Sequence, residues 1–261
     1  MIDLQDVSFG WPDSPPAFSG LTLRIAAGEK VVLLGPNGSG KSTLLKLLNG
    51  LIDPTGGRYC QGGEEVTLQH LRDRDRARRF RRECVLLFQH PEAMLFNATV
   101  RDEIAYGPRQ LDLADVDARV TRWARELRLE ALLDKPPFHL SGGEKQKVAL
   151  AAVLALDPKV LLLDEPSANL DPRTAGWLAD HLLDTGATVV VSTHNLSMAA
   201  EFGERCLILD PGRGLRYDGP IERALADVEL LEAAQLAHRH RHRHGAGEHA
   251  HMHLHAWETP D

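Results

Sequence analysis

The sequence predicts an α/β fold built on a mostly parallel core sheet, and three observations carry that reading. Four short apolar runs, residues 31–34, 85–88, 160–163 and 189–191, are rich in valine and leucine and lack polar alternation. Strands covered on both faces look like this. Between them, residues 41–51, 99–106, 113–129 and 144–156 repeat their apolar positions at helical spacing, so strands and helices alternate along the chain. Finally, 261 residues with 43% apolar content can enclose a substantial core.

Taken in order, residues 2–9 and 21–25 alternate apolar and polar side chains around a Pro/Gly/Ser-rich stretch at 10–20, which predicts an N-terminal antiparallel subdomain joined by a turn. Residues 31–34 then run into a glycine-rich loop and a helix. Residues 72–82 (RDRDRARRFRR) read as a solvated helix face or a docking surface for a partner. Residues 90–157 form a helical insertion within a domain spanning 1–225. A C-terminal helix is expected over 226–237, followed by a flexible histidine-rich tail at 238–261, too poor in apolar residues to pack.

Bulk properties exclude several functions. A formal net charge of -7 provides no general basic field for nucleic acid, so no nucleic-acid partner is expected. Cys60, Cys84 and Cys206 show no C-x-x-C spacing, which argues against a disulfide framework and a thiolate metal site and fits a reducing cytosol. The longest apolar run, 148–156, is far below the ~18 residues needed to span a bilayer. Work at a membrane would require another subunit to supply the membrane.

The chemistry begins at Gly35-Pro36-Asn37-Gly38-Ser39-Gly40-Lys41-Ser42, followed by Thr43, which matches G-x-x-x-x-G-K-[ST] between a predicted strand and a predicted helix. The loop's N–H groups and the helix N-terminus suit phosphates, with Lys41 reaching the β- and γ-phosphates and Ser42 coordinating Mg2+. Strand 160–163 ends at Asp164 and Glu165, one suited to hold Mg2+ and the other to polarise the attacking water, although a helix cap explains two acids equally well. About twenty residues earlier, Leu140-Ser141-Gly142-Gly143-Glu144-Lys145-Gln146 puts a polar Gly-Gly turn at a helix start, which makes a second anion site.

With those residues the chain resembles the ATP-binding cassette family of P-loop NTPases over residues 1 to about 220. The family signature is LSGGQ, with Glu144 here in place of glutamine. The resemblance implies ATP and Mg2+ as cofactors and a signature loop, Ser141, Gly142 and Gly143, that completes the ATP site of a second subunit. It also implies that Gln89 senses Mg2+ and the transmembrane partner, that residues 168–171 cross the dimer interface, and that His194 contacts the γ-phosphate. Trp11 stands where the family stacks an aromatic on adenine, with Phe9 close enough to be mistaken for it. Asn195 replaces a common aspartate after the histidine.

Residues 88–108 are similar to a loop of energy-coupling-factor importers, with Met94, Leu95 and Phe96 either exposed for a membrane subunit or buried in the helical subdomain. In the tail, His238, His240, His242, His244, His249, His251, His253 and His255 suit borderline ions such as Ni2+, Co2+ or Zn2+, which favours the nickel or cobalt branch of these importers. The expectation is an ATPase on the cytoplasmic face of the cell membrane. It would bind integral transporter subunits as a homodimer, or as a heterodimer with a paralogue, and serve nickel or cobalt import. The rivals are the same ATPase in a vitamin importer and a soluble cassette acting on nucleic acid or ribosomes.

Overall fold

The structure is a computed structural model that describes residues 1–212, 214–244 and 247–254. Strand β1 (Ile2–Gly10) pairs antiparallel with β2 (Pro16–Ile25), placing Leu4 opposite Leu23 and Phe9 opposite Phe18. The buried residues of β1 are Ile2 and Leu4, then Val7 and Phe9, so the alternation changes phase once. A register shift at Asp6, whose φ is 54°, makes that change, as an added residue in one strand must. The turn expected at 10–20 is shorter than its composition suggested. Proline is tolerated as a strand's first residue, and Pro16 begins β2 opposite Gly10.

Next come β3 (Lys30–Leu34) and α1 (Lys41–Leu48). Gly50, at φ 64°, closes α1 with its N–H on Leu47 O and the Leu51 N–H on Lys46 O, so the helix stops short of residue 51. Two strands not anticipated, β4 (Gly56–Gln61) and β5 (Glu64–Glu65), extend the antiparallel sheet to the order β2-β1-β4-β5. The arginine-rich stretch forms α2 (Arg74–Glu83), capped by Asp73 and exposed apart from buried Ala77 and the partly buried Arg76, Phe80 and Glu83.

β6 (Cys84–Leu87) leads into three helices of the insertion, α3 (Val100–Gln110), α4 (Val116–Glu126) and α5 (Gly142–Leu154). Then follow β7 (Val160–Asp164), α6 (Pro172–Asp184), β8 (Thr188–Ser192), α7 (Leu196–Phe202), β9 (Arg205–Asp210) and β10 (Gly214–Pro220). The second sheet has the order β10-β9-β3-β8-β7-β6, parallel except for the edge strand β10. Val32, Leu34, Val189 and Val191 face one apolar cluster while Val31, Leu33 and Val190 face the other. Each such side chain contributes about 1.5–3 kcal/mol on burial, which is why these strands show no polar alternation.

The single C-terminal helix expected at 226–237 is two short ones, α8 (Ile221–Ala226) and α9 (Val228–Ala233). Asp227 interrupts them and accepts the Leu230 N–H to cap the second. Like α1, α9 ends with a paired cap, the Gln235 N–H on Glu232 O and the Leu236 N–H on Leu231 O. Here Gln235 takes the left-handed position, at φ 56°, where a non-glycine residue costs about 1 kcal/mol.

Beyond it, where a tail without regular structure was expected, β11 (Ala237–His244) and β12 (Gly247–Leu254) pair as an antiparallel hairpin. The alternation of histidine with arginine in 238–244 already has the period of a strand. Its register sets His238 opposite His253, His240 opposite His251 and His242 opposite His249. His255 lies outside the described residues.

Candidate functional site

Parallel pairing brings the carboxyl ends of β3, β7 and β8 level, with Leu33 and Asp164 both opposite Ser192. The loops leaving these ends converge on a cavity of about 1060 Å3. Open parallel sheets place ligands at this edge.

The loop after β3 supplies Gly35, Pro36, Asn37, Gly38, Ser39, Gly40, Lys41, Ser42 and Thr43 to the cavity wall. At Gly35 a Cβ would lie 2.5 Å from Ser39 Oγ and 2.7 Å from Leu209 O, so only glycine lets the loop pass. Gly40, at φ 95°, turns the chain into α1, and no side chain caps that helix. Its first N–H groups therefore face the cavity with their partial positive charge. The Lys41 ammonium donates to Gly35 O at 2.7 Å and Pro36 O at 3.2 Å; burial lowers its pKa, against the opposing pull of Glu165 and Asp164. Buried Ser39 Oγ has no hydrogen-bond partner.

Across the cavity, Asp164 is buried and accepts the Ser192 hydroxyl proton. Glu165 is also buried and sits in the left-handed region at φ 50°, held by its N–H on Ser192 O at 3.1 Å. Its Oε1 lies 2.8 Å from His194 Nδ1, a contact that raises the histidine's pKa against the effect of burial. Gln89, exposed after β6, completes this wall.

Trp11 closes the other end. It is 44% exposed with its ring edge-on to Phe9 at 5.0 Å, whereas Phe9 is only 7% exposed and belongs to the core. The face available to a ligand is therefore that of Trp11.

Ser141, Gly142 and Gly143 do not line this cavity. They start α5 beside residues 166–171: a Cβ on Gly143 would fall 2.6 Å from Asn169 O, Gln146 Nε2 donates to Pro166 O at 3.0 Å, and Lys147 pairs with Asp171 at 2.8 Å. The Ser141 hydroxyl is engaged, donating to Glu144 Oε2 at 2.8 Å within a capping box, and hydrogen bonds from Ser141 lower the Glu144 pKa. A carboxylate thus stands at the helix start where the sequence suggested a free anion site.

A family model described as ABC transporter matches residues 18–168. The chain belongs to the ABC transporter ATPase family. The energy-coupling factor transporter ATP-binding protein EcfA of Methanothermobacter thermautotrophicus is 37% identical over 241 residues, covering 90% of this chain and 76% of that protein. The nickel import ATP-binding protein NikO of Rhodobacter capsulatus is 43% identical over 244 residues, covering 90% and 95%. A solved structure of CbiO1 from Clostridium perfringens, part of the ABC transporter complex CbiONQ, matches with a TM-score of 0.74 at 29% identity, covering 90% and 94%. The chain is an ATPase subunit of the energy-coupling-factor type.

Several features of this ABC ATPase escaped sequence reasoning. Pro15, Pro16 and Ala17 at the start of β2, Pro211 and Gly212 after β9, and Gln235 with Leu236 also line the cavity. The Pro15-Pro16 pair read as turn material, and no spacing rule links residue 235 to a loop two hundred residues earlier. Asn195 accepts the N–H groups of Ser197 and Met198 and so caps α7, as an aspartate there would. In the loop after Gln89, Met94 and Leu95 pack partly against the core, while Phe96 is 66% exposed and meets Tyr106 edge-on at 4.8 Å. No helix among the described residues is long and apolar enough to cross a membrane. Among the described residues, no group of three or more His, Cys, Asp or Glu is placed to hold a metal ion.

Proposed function

We propose that this ATPase drives import of nickel or cobalt ions, working as a dimer on the cytoplasmic face of a membrane against integral transporter subunits. The observation that carries the metal is the hairpin register, in which three histidine pairs stand directly opposite one another. Opposed residues on an antiparallel pair have Cβ atoms about 4.5–5.5 Å apart, and neutral imidazoles at such spacing suit borderline ions. The nickel import and CbiONQ names of the two relatives point the same way.

In this reading Trp11 stacks on adenine and residues 35–43 cradle the phosphates. The uncapped start of α1, the Lys41 ammonium and the unpartnered Ser39 hydroxyl all suit a polyphosphate. Ser42, Gln89 and Asp164 hold Mg2+, Glu165 polarises the attacking water, and His194 orients Glu165 and meets the γ-phosphate. Ser141, Gly142 and Gly143 of a second copy close the site, since in one chain they lie off the cavity wall. Gln89 and the exposed Phe96–Tyr106 pair receive the membrane subunit.

The deciding experiment is Ni2+ and Co2+ calorimetry on the full-length protein and on a variant with all eight tail histidines changed to asparagine. The variant should retain ATP turnover within about two-fold without added transition metal and lose most metal binding. Wild-type binding should fade as pH falls through about 6.5, where imidazole protonates. Equal metal binding by the two proteins would overturn the nickel or cobalt assignment and leave a vitamin importer as the better reading.

A further inference from the structure

Leu236 is buried in the same core cluster as Leu34, Leu196 and Ile208, so the turn after α9 is anchored in the hydrophobic core. Gln235 precedes it on the cavity wall, exposed and left-handed. The left-handed backbone alone assigns nothing, because Asp112 and Arg128 follow α3 and α4 with the same sign of φ. What distinguishes Gln235 is its place. Its side-chain amide brings two N–H donors and a carbonyl acceptor, which suit phosphate oxygens and ribose hydroxyls.

The hairpin is rooted at the same point. Ala237, the first residue of β11, is buried in that cluster, and His238 follows, paired in register with His253. His238 is three residue steps from Gln235, at most about 10 Å of chain. That is close to the screening length of about 8–10 Å in physiological salt.

We propose that this C-terminal turn is part of the nucleotide site: Gln235 binds ATP through its side-chain amide, and a divalent cation held at the hairpin root by His238 and His253 tightens ATP binding. The second half rests on the metal reading above. Such a cation adds two positive charges beside a cavity that takes an anionic nucleotide, and the attraction is reciprocal, so bound ATP tightens the metal by the same factor. The ATPase then engages nucleotide best when its own tail is loaded with metal.

Two sets of measurements on the full-length ATPase test this. Gln235→Gly removes the amide and relieves the left-handed backbone, so melting temperature should rise by about 2–4 °C while KM for ATP rises about five-fold and kcat stays within about two-fold. Gln235→Glu, of equal size but anionic, should raise KM further. A higher melting temperature with KM unchanged in both variants would reduce Gln235 to a helix cap and overturn the contact. With Mg2+ in excess, Ni2+ should lower KM at least two-fold in the wild type and lose that effect in a His238→Ala, His253→Ala double variant. If Ni2+ binds by calorimetry but KM does not move, the coupling is overturned and the metal reading survives. If Ni2+ does not bind at all, both fall, and the Gln235 contact is decided by its own KM.

Discussion

His194 and Glu165 hold each other at 2.8 Å, and this contact makes the site sensitive to pH. The hydrogen bond to Glu165 raises the histidine's pKa, opposed by burial and by Lys41. The charged contact is therefore fully present below the ordinary histidine value of about 6.5 and is lost as pH rises through the raised folded value. An NMR titration of the His194 ring should show a midpoint above 6.5 that moves down in Glu165→Gln; the same midpoint in both proteins would mean that the carboxylate does not hold the ring. Most residues of this site were legible because each sits at a fixed offset from a glycine loop or a strand end, and backbone geometry demands that offset. The state of a side chain was not. That Glu144 engages the Ser141 hydroxyl, or that Phe9 is buried while Trp11 is free, depends on neighbours that no spacing reveals.

At the scale of elements, the helical insertion is tied to the sheet layer by rings. Trp123 of α4, 2% exposed, lies edge-on to His181 of α6 at 5.3 Å and to Trp177 at 6.5 Å, while Trp177 and His181 stack with planes 8° apart. The Arg122 guanidinium lies 4.8 Å from the Trp123 ring centre. Burial, and then Arg122, lower the His181 pKa, so the ring packs as a neutral aromatic. Trp123→Ala should cost about 3–5 kcal/mol in urea denaturation, the usual penalty for emptying a large aromatic site; a loss under about 1 kcal/mol would mean that the insertion is anchored elsewhere. The helices were legible from their period, but their ends shifted. Asp115, at φ 57°, delays α4 until Val116, and the Ser141 capping box starts α5 at Gly142. The strands β4, β5, β9 and β10 were missed, β4 because Gly-Gly-Arg-Tyr-Cys-Gln carries no run of valine or leucine.

For the whole molecule, the parallel sheet and its antiparallel companion were readable because apolar runs and alternation obey opposite rules of burial. Assembly was not readable from periodicity; the proposed pairing rests on the signature residues lying off the cavity wall of their own chain. Glu165→Gln, which keeps the phosphate loop and loses the carboxylate, should sediment with ATP and Mg2+ at twice one chain's mass and return to one mass with ADP. A single-chain mass under both conditions would overturn the paired arrangement. The pairing proposed above also bears on inheritance. Of two chains each inactive alone, one lacking Lys41 and one with its signature loop blocked by a side chain at Gly143, a mixed pair unites the sound loop of one with the sound signature of the other. Two lesions carried by separate chains then complement, whereas a chain that carries both lesions and pairs only with itself has no sound site.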